Sequence, residues 1–293
     1  MIKNLSLWFA ISLTTIVISI TILVTVQPLW GTDFTGGSLL EFKALSATNS
    51  AELQTVLQQD FSLTSTIQTT QDNSVLIRTT PLSEQQHQDI VKKLNEQKKV
   101  GEELRFEFIG PTIGQELRRK AVYAVVLATI GIILYLTYAF RRTVGLISPW
   151  KFGVAATFAL IHDLLFVSAL FAILGKVYGV TVDSLFVTAM LSVMGYSVND
   201  TIVIFDRLRE EWLKARGENL AEIMRRSVRL SIIRSLNTSI TILLVLLAMF
   251  LLGGSSIRWF IVALIAGTIV GTYSSIYVAT PALYWLSTRG RKK

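Results

Sequence analysis

The sequence predicts a polytopic α-helical membrane protein of six spans, with one α+β domain between the first and the second. Three observations predict it. Apolar runs of about 20 residues, the length that crosses ~30 Å of hydrocarbon, recur six times. One long polar segment, residues 30–118, interrupts them. The loops between runs alternate between rich and poor in lysine and arginine. Composition agrees: 51% of the 293 residues are hydrophobic and 16% charged, with a mean hydropathy of +0.52.

The runs are about Leu7 to Val26, Ala121 to Phe140, Phe152 to Leu174, Leu185 to Phe205, Ile232 to Leu252 and Ile257 to Leu286. The last is long for one span, which places its membrane part near Trp259 to Tyr284. The first is too long for the apolar core of a leader and lacks a small-x-small cleavage site, so it reads as a span.

Six spans put both ends of the chain on one side. Lys3, Arg141, Arg142, Lys151, the basic loop 207–229 and a tail with Arg289, Arg291, Lys292 and Lys293 share that side. The opposite short loops hold Lys176 and Arg258. The positive-inside rule makes the rich side cytoplasmic and domain 30–118 extracytoplasmic. Arg118, Arg119 and Lys120 run against the rule, which long translocated domains weaken. The net charge of +8 thus reads as topology rather than nucleic-acid binding.

The chain divides into 1–29 with span one, the domain 30–118, spans two to six over 119–288, and a basic tail 289–293. Within the domain, Ser38 to Leu45 predicts a strand, and Ser50 to Gln59 a helix capped by Asn49 or Ser50. Phe61 to Thr69 and Ser74 to Thr79 predict two strands about the turn pair Asp72-Asn73. A helix from Ser83 to Lys98 and an alternating strand from Glu102 to Ile109 complete a βαββαβ order, that of the ferredoxin-like plan. His87 reads as an exposed helix residue. Two glycine-rich junctions bracket the domain. The first holds Asp33, Phe34, Thr35, Gly36 and Gly37, the second Gly110, Pro111, Gly114 and Glu116. Glycines there suit tight turns and close packing. Asp33 either caps a turn or helix end or acts directly in transport.

Polar residues inside the spans are the candidate functional groups, because charge at membrane depth is costly. His162 and Asp163 lie roughly 17 Å deep in span three at 1.5 Å per residue. Asn199 and Asp200 adjoin in span four. Asp200 sits about 9 Å above Asp206, and Arg234 of span five about 8 Å beyond Arg229. Equal depth on consecutive helices predicts an Asp200–Arg234 pair. Desolvation favours the neutral form of such a carboxylate and a nearby arginine the charged form, so rearrangement lets it load and release a proton. The plainer reading is an ion pair holding the bundle together. His162 and Asp163 serve either transport or packing; an unperturbed histidine titrates near neutrality. Asp206 with Arg207 and Arg209 reads as an interfacial anchor, and Asp183 as a carboxylate at a helix start or an outer proton port. Ala266, Gly267, Gly271, Ser274 and Ser275 suit close helix packing. The loop 207–229 reads as a helix, a break at Gly217, and an amphipathic helix through Leu220, Ile223, Met224 and Val228 that lies on the membrane surface or docks a partner.

Cysteine is absent and only two histidines occur, so no disulfide, thiolate or histidine-rich metal site is expected, and no cofactor. No Walker-type loop and no nucleophile–base set occur, so an enzyme is not expected. The stretches Asp-Phe-Thr-Gly-Gly, Gly-Pro-Thr-Ile-Gly-Gln-Glu-Leu and Ser-Val-Asn-Asp-Thr-Ile-Val-Ile-Phe-Asp-Arg together resemble the SecF members of the SecD/SecF family, of RND type. The resemblance covers nearly the whole chain. It implies SecD as partner, association with the SecY-SecE-SecG channel, and an ATP-driven push by SecA. It also implies use of the proton gradient to help draw preproteins across the bacterial cytoplasmic membrane; the aspartate chemistry alone permits sodium as well. The family's carboxylate falls on Asp200, and its arginine on Arg234. Two rival readings are an RND-type subunit exporting lipid or small molecules, and a structural assembly factor without ion conduction.

Overall fold

The computed structural model describes residues 5–45, 48–69, 73–143, 147–215 and 218–288. Lys3, Asp72, Arg216, Gly217 and the tail 289–293 lie outside them. In chain order the elements are α1 (Leu5–Thr25), β1 (Leu29–Trp30), α2 (Thr32–Thr35), β2 (Gly37–Lys43), α3 (Ser50–Phe61), β3 (Ser65–Thr69) and β4 (Ser74–Thr79). Then follow α4 (Glu84–Glu96), β5 (Glu103–Ile109), α5 (Pro111–Ala139), α6 (Pro149–Tyr178), β6 (Thr181–Val182), α7 (Ser184–Lys214) and α8 (Leu220–Leu252). The last span is α9 (Ser255–Ser274), a π-helical turn (Ser275–Ala279) and α10 (Thr280–Thr288). The chain forms two compact units. One comprises Leu29–Val122 with Thr181–Ser184, the other the remaining helices.

The first unit holds a four-stranded antiparallel sheet in the order β3-β4-β2-β5. Numbered along β2, β3, β4 and β5, that is 2-3-1-4, the strand order of the ferredoxin-like plan. Alternation along the strands sends Leu40, Phe42, Val75 and Ile77 to one face, where Leu53 and Leu57 of α3 and Ile90 and Leu94 of α4 meet them, all at 0% exposure. Asn49 caps α3 by accepting from the Ala51 N–H at 3.0 Å. Ser83 and Gln86 form a reciprocal capping box on α4.

Two expectations are corrected in this unit. Phe61 closes α3 rather than opening a strand, because Ser62 turns left-handed (φ 54°) and its N–H bonds back to the Leu57 carbonyl. His87 is not an exposed residue. It falls in phase with Ile90, Val91 and Leu94, so its ring stacks on Phe106 with centroids 3.8 Å apart, and its Nε2 lies 2.7 Å from Glu103 Oε1.

All six expected spans occur as helices long and apolar enough to cross a membrane. In the helical unit α6, α7 and the last span form the interior, with 50%, 50% and 61% of their apolar windows buried. For α1, α5 and α8 the shares are 11%, 6% and 17%, so these present most of their surface outward. The last span is interrupted where Pro281 removes an N–H from the ladder. There the Thr280 Oγ1 donates to the Ser275 carbonyl at 3.0 Å. The apolar face of the amphipathic stretch, expected to meet the membrane surface or a partner, packs within the chain instead. Leu220, Ile223, Met224 and Val228 are buried in the main core of the bundle, because α8 starts at the Asn219 cap and runs unbroken into the span. Beside it Glu211 receives Arg226 Nε at 2.7 Å, Lys214 Nζ at 3.4 Å and Arg207 Nη2 at 3.5 Å.

Candidate functional site

The polar centre of the bundle is built where α9 comes unusually close to α7. A Cβ on Gly267 would stand 2.2 Å from Val193 Cγ2, and one on Gly271 would stand 3.0 Å from Ser197 Cβ. At Gly267 a side chain would force the helices apart, and at Gly271 it would crowd them. The close approach delivers Ser274 and Ser275 to the polar residues of α6 and α7.

Asp163, at 0% exposure, is the hub. His162 Nδ1 lies 3.0 Å from its Oδ1, while Ser197 Oγ and Ser274 Oγ each donate to its Oδ2 at 2.7 Å. Three helices are thereby tied through one carboxylate. Next to it, Thr201 Oγ1 and Ser275 Oγ are 3.0 Å apart, and Ser275 also donates to the Ser197 carbonyl at 3.3 Å.

Asp200 lies one turn along α7 and is 5% exposed. Its Oδ1 accepts from Ser235 Oγ, and its Oδ2 is buried with no hydrogen-bond partner of ordinary geometry among the described residues. The seam continues through Ser239, which lies 2.6 Å from Thr272 Oγ1 and accepts from Tyr196 OH at 2.9 Å.

The expected Asp200–Arg234 pair is not formed within the chain. Arg234 is exposed on α8 and has no ion pair among the described residues. The reason is azimuth: neighbouring residues on a helix point about 100° apart, and α8 turns Ser235 inward. Asn199 and Asn237 are likewise exposed. Residues missed from sequence are the serines. Ser227, Ser231, Ser235 and Ser239 recur every fourth position on α8, all buried, a polar stripe that periodicity alone could have revealed. Asp206 meets Arg209 at 3.5 Å, while Arg207 pairs with Glu210 and Glu211.

The two junctions pack on each other within the sheet unit. Gly37 takes φ +138°, and a Cβ there would stand 2.5 Å from the Thr79 carbonyl. A Cβ on Gly114 would stand 2.7 Å from the Gly36 nitrogen, while Phe34 is buried beside them. Thr35 Oγ1 donates to the Gly36 carbonyl at 3.0 Å. Pro111 is the first residue of α5, where its missing N–H costs nothing. Gly110 is under no such constraint, since a Cβ would meet nothing within 4 Å. Glu116 is exposed and paired with Lys120 at 2.8 Å.

Asp33 has a definite structural task. Its Oδ2 accepts the N–H of Ser184, the first residue of α7, at 2.9 Å. Parallel pairing of β1 with β6 and a Gly31 N–H to Val182 carbonyl bond of 2.8 Å bring the two segments together. Asp33 and Asp183 also favour the charged form of Arg78, whose burial nevertheless holds its guanidinium below the usual value. Arg78 lines an open cleft of about 330 Å³ with Trp30, Thr35, Thr66 and Thr181.

A family model for the protein-export membrane proteins SecD/SecF, C-terminal part, matches residues 88–289. The chain belongs to the SecD/SecF family. The translocase subunit SecF of Anaerolinea thermophila is 38% identical to it over 281 residues, 94% of this chain and 90% of that protein. The SecF of Thermobaculum terrenum is 46% identical over 179 residues, 61% of this chain and 56% of its own. Among solved structures, SecDF from Thermus thermophilus, described as a translocon-associated membrane protein, superposes with a TM-score of 0.86 at 31% identity. That match covers 98% of this chain and 38% of the SecDF chain, so this SecD/SecF member spans well under half of that relative.

Proposed function

We propose that the chain is the SecF subunit of a protein-export translocase. Working with SecD, it uses an ion gradient to promote movement of preproteins across the cytoplasmic membrane after the ATP-driven step. The observation that carries this reading is the division at the site. Asp200 is buried in a serine-lined seam, while Arg234 and Asn199, on adjoining helices, face out of the chain. Polar side chains turned toward hydrocarbon are costly, and a second set of spans would cover them. A fused SecDF that contains this whole fold in 38% of its length supports SecD as the cover.

In this reading Asp200 carries the ion and Arg234 is the electrostatic partner reached on rearrangement. His162 and Asp163 belong to the same polar centre. Protons are the expected ion, with sodium the alternative. The bias of basic loops supports cytoplasmic ends and an extracytoplasmic sheet unit, which handles the emerging preprotein while the channel SecY-SecE-SecG and SecA supply path and push. The chain carries out no enzymatic step.

The test uses sealed inverted vesicles with SecD and the channel, with and without this chain. The chain should be needed for the gradient-stimulated part of preprotein translocation and not for the ATP-driven part. Equal stimulation without it would refute the assignment, and loss of lipid export alone would favour the lipid exporter.

A further inference from the structure

The polar centre of the bundle contains a second buried titratable group besides Asp200, and its unpaired atom is a nitrogen. His162 is 1% exposed, and its Nδ1 faces Asp163 Oδ1 at 3.0 Å. The other Asp163 oxygen is occupied by the Ser197 and Ser274 hydroxyls. With donors converging on Asp163, the imidazole proton belongs on Nδ1, which leaves the lone pair on Nε2. Nε2 is buried and has no hydrogen-bond partner among the described residues.

A histidine that merely braced two helices would engage both nitrogens. An unmatched acceptor within a span is the arrangement a bundle tolerates least, unless a water or a proton occupies it. The groups facing the ring would permit a proton there. Asp163, on the same helix, supplies the counter-charge a buried imidazolium requires. Tyr273 of the last span has its ring centroid 6.2 Å away, with Tyr277 stacked behind it at 5.2 Å. α1, packed on the same helix, has no titratable side chain; α10 contributes only Tyr284. α7 contributes the Ser197 hydroxyl and turns Asp200 toward Ser235. Arg258, the one cation of α9, stands over the Phe250 ring.

We infer that His162 Nε2 is a second proton-accepting atom of the transport cycle, with Asp163 as its fixed counter-charge and positioning residue. The inference rests on the ion-relay reading of this bundle. The proton arrives from water on one side, adds to the Nε2 lone pair, and returns to water on the other; no other bond is made or broken. Asp163 keeps its three donors throughout, which separates its task from that of Asp200.

The chain has only two histidines, so the test is direct. With His87→Gln, ¹⁵N-histidine labelling of the SecD-assembled chain in bilayers reports one ring. The neutral ring should carry its proton on Nδ1, and both nitrogen signals should move when a second proton adds as the bilayers are acidified stepwise over a wide pH range. Asp163→Asn should abolish that second protonation. A neutral ring protonated on Nε2, or signals that stay still over the range, would overturn the inference whatever the transport assay shows. In inverted vesicles, His162→Gln should remove the gradient-dependent part of translocation and flatten its pH profile, leaving the ATP-driven part. Retention of both would also overturn it. If Asp200→Asn were equally silent, the relay reading itself would fail along with it.

Discussion

Replacing Gly267 with alanine should loosen the bundle where α9 meets α7. The new Cβ would stand 2.2 Å from Val193 Cγ2, 2.7 Å from Cγ1 and 3.0 Å from Cβ. Ordinary carbon contacts lie near 3.5–4.0 Å, so the helices must part by about 1.5 Å. No rotation of the valine clears the clash, because both methyls and the Cβ itself stand in the way. Overpacking of this kind costs about 1–3 kcal/mol, roughly a 5- to 150-fold shift in the folding equilibrium. The parting would also draw Ser274 away from Asp163. The assay is the denaturation midpoint of the purified, SecD-bound chain in detergent, measured for Gly267→Ala, Val193→Ala and the pair. The double variant should be more stable than the sum of the two single losses, since Val193→Ala removes the two closest atoms. An additive pair, or a Gly267→Ala chain as stable as the parent, would refute the close-approach argument.

Three further outcomes are expected. Asp33→Ala should cost about 1 kcal/mol by uncapping α7, whereas Asp33→Asn should keep most of the stability and all of the gradient-dependent transport, because asparagine caps as well as aspartate. Loss of transport in Asp33→Asn would instead make Asp33 a carrier. Gly37→Ala should unfold the sheet unit, seen as lost protease resistance, while Gly110→Ala should leave it intact, because only Gly37 combines a positive φ with a carbonyl 2.5 Å from the added Cβ. Glu211→Gln should lower the thermal midpoint in low salt more than in high salt, because it removes the anion shared by Arg207, Lys214 and Arg226; an equal loss at both ionic strengths would contradict that.

Much of the fold was legible because its signals are local. The six spans follow from run length, the starts of α3 and α4 from Asn49 and Ser83, and the plan of the sheet unit from a βαββαβ pattern that has few ways to pack. The pairing of β1 with β6 was not legible, because two-residue strands about 150 positions apart leave no periodic trace. The misreading at Phe61 has a different cause: a left-handed Ser62 is a backbone choice made by the packed unit, not by its side chain.

The candidate site shows the same division. Depth arithmetic places Asp200 and Arg234 at one level, and says nothing of azimuth, which the glycine contacts of α9 and the inward serines of α8 decide. Asp163 was legible as a buried carboxylate, but its two hydroxyl donors were not, since Ser197 and Ser274 come from other helices. The two glycine junctions read correctly as places of close approach, although Gly110 shows that a motif glycine need not be one.

The proposed role of Asp200 is to carry the ion that couples the gradient to export. The measurement is preprotein translocation into inverted vesicles holding this chain, SecD and the channel, comparing the parent with Asp200→Asn at equal subunit and ATP levels, with and without a proton gradient and then a sodium gradient. Asp200→Asn, which keeps size and loses the titratable charge, should abolish only the gradient-dependent part. Undiminished stimulation by either gradient, with the subunits assembled, would contradict it and leave Asp200 and its serines as bonds that hold the helices together.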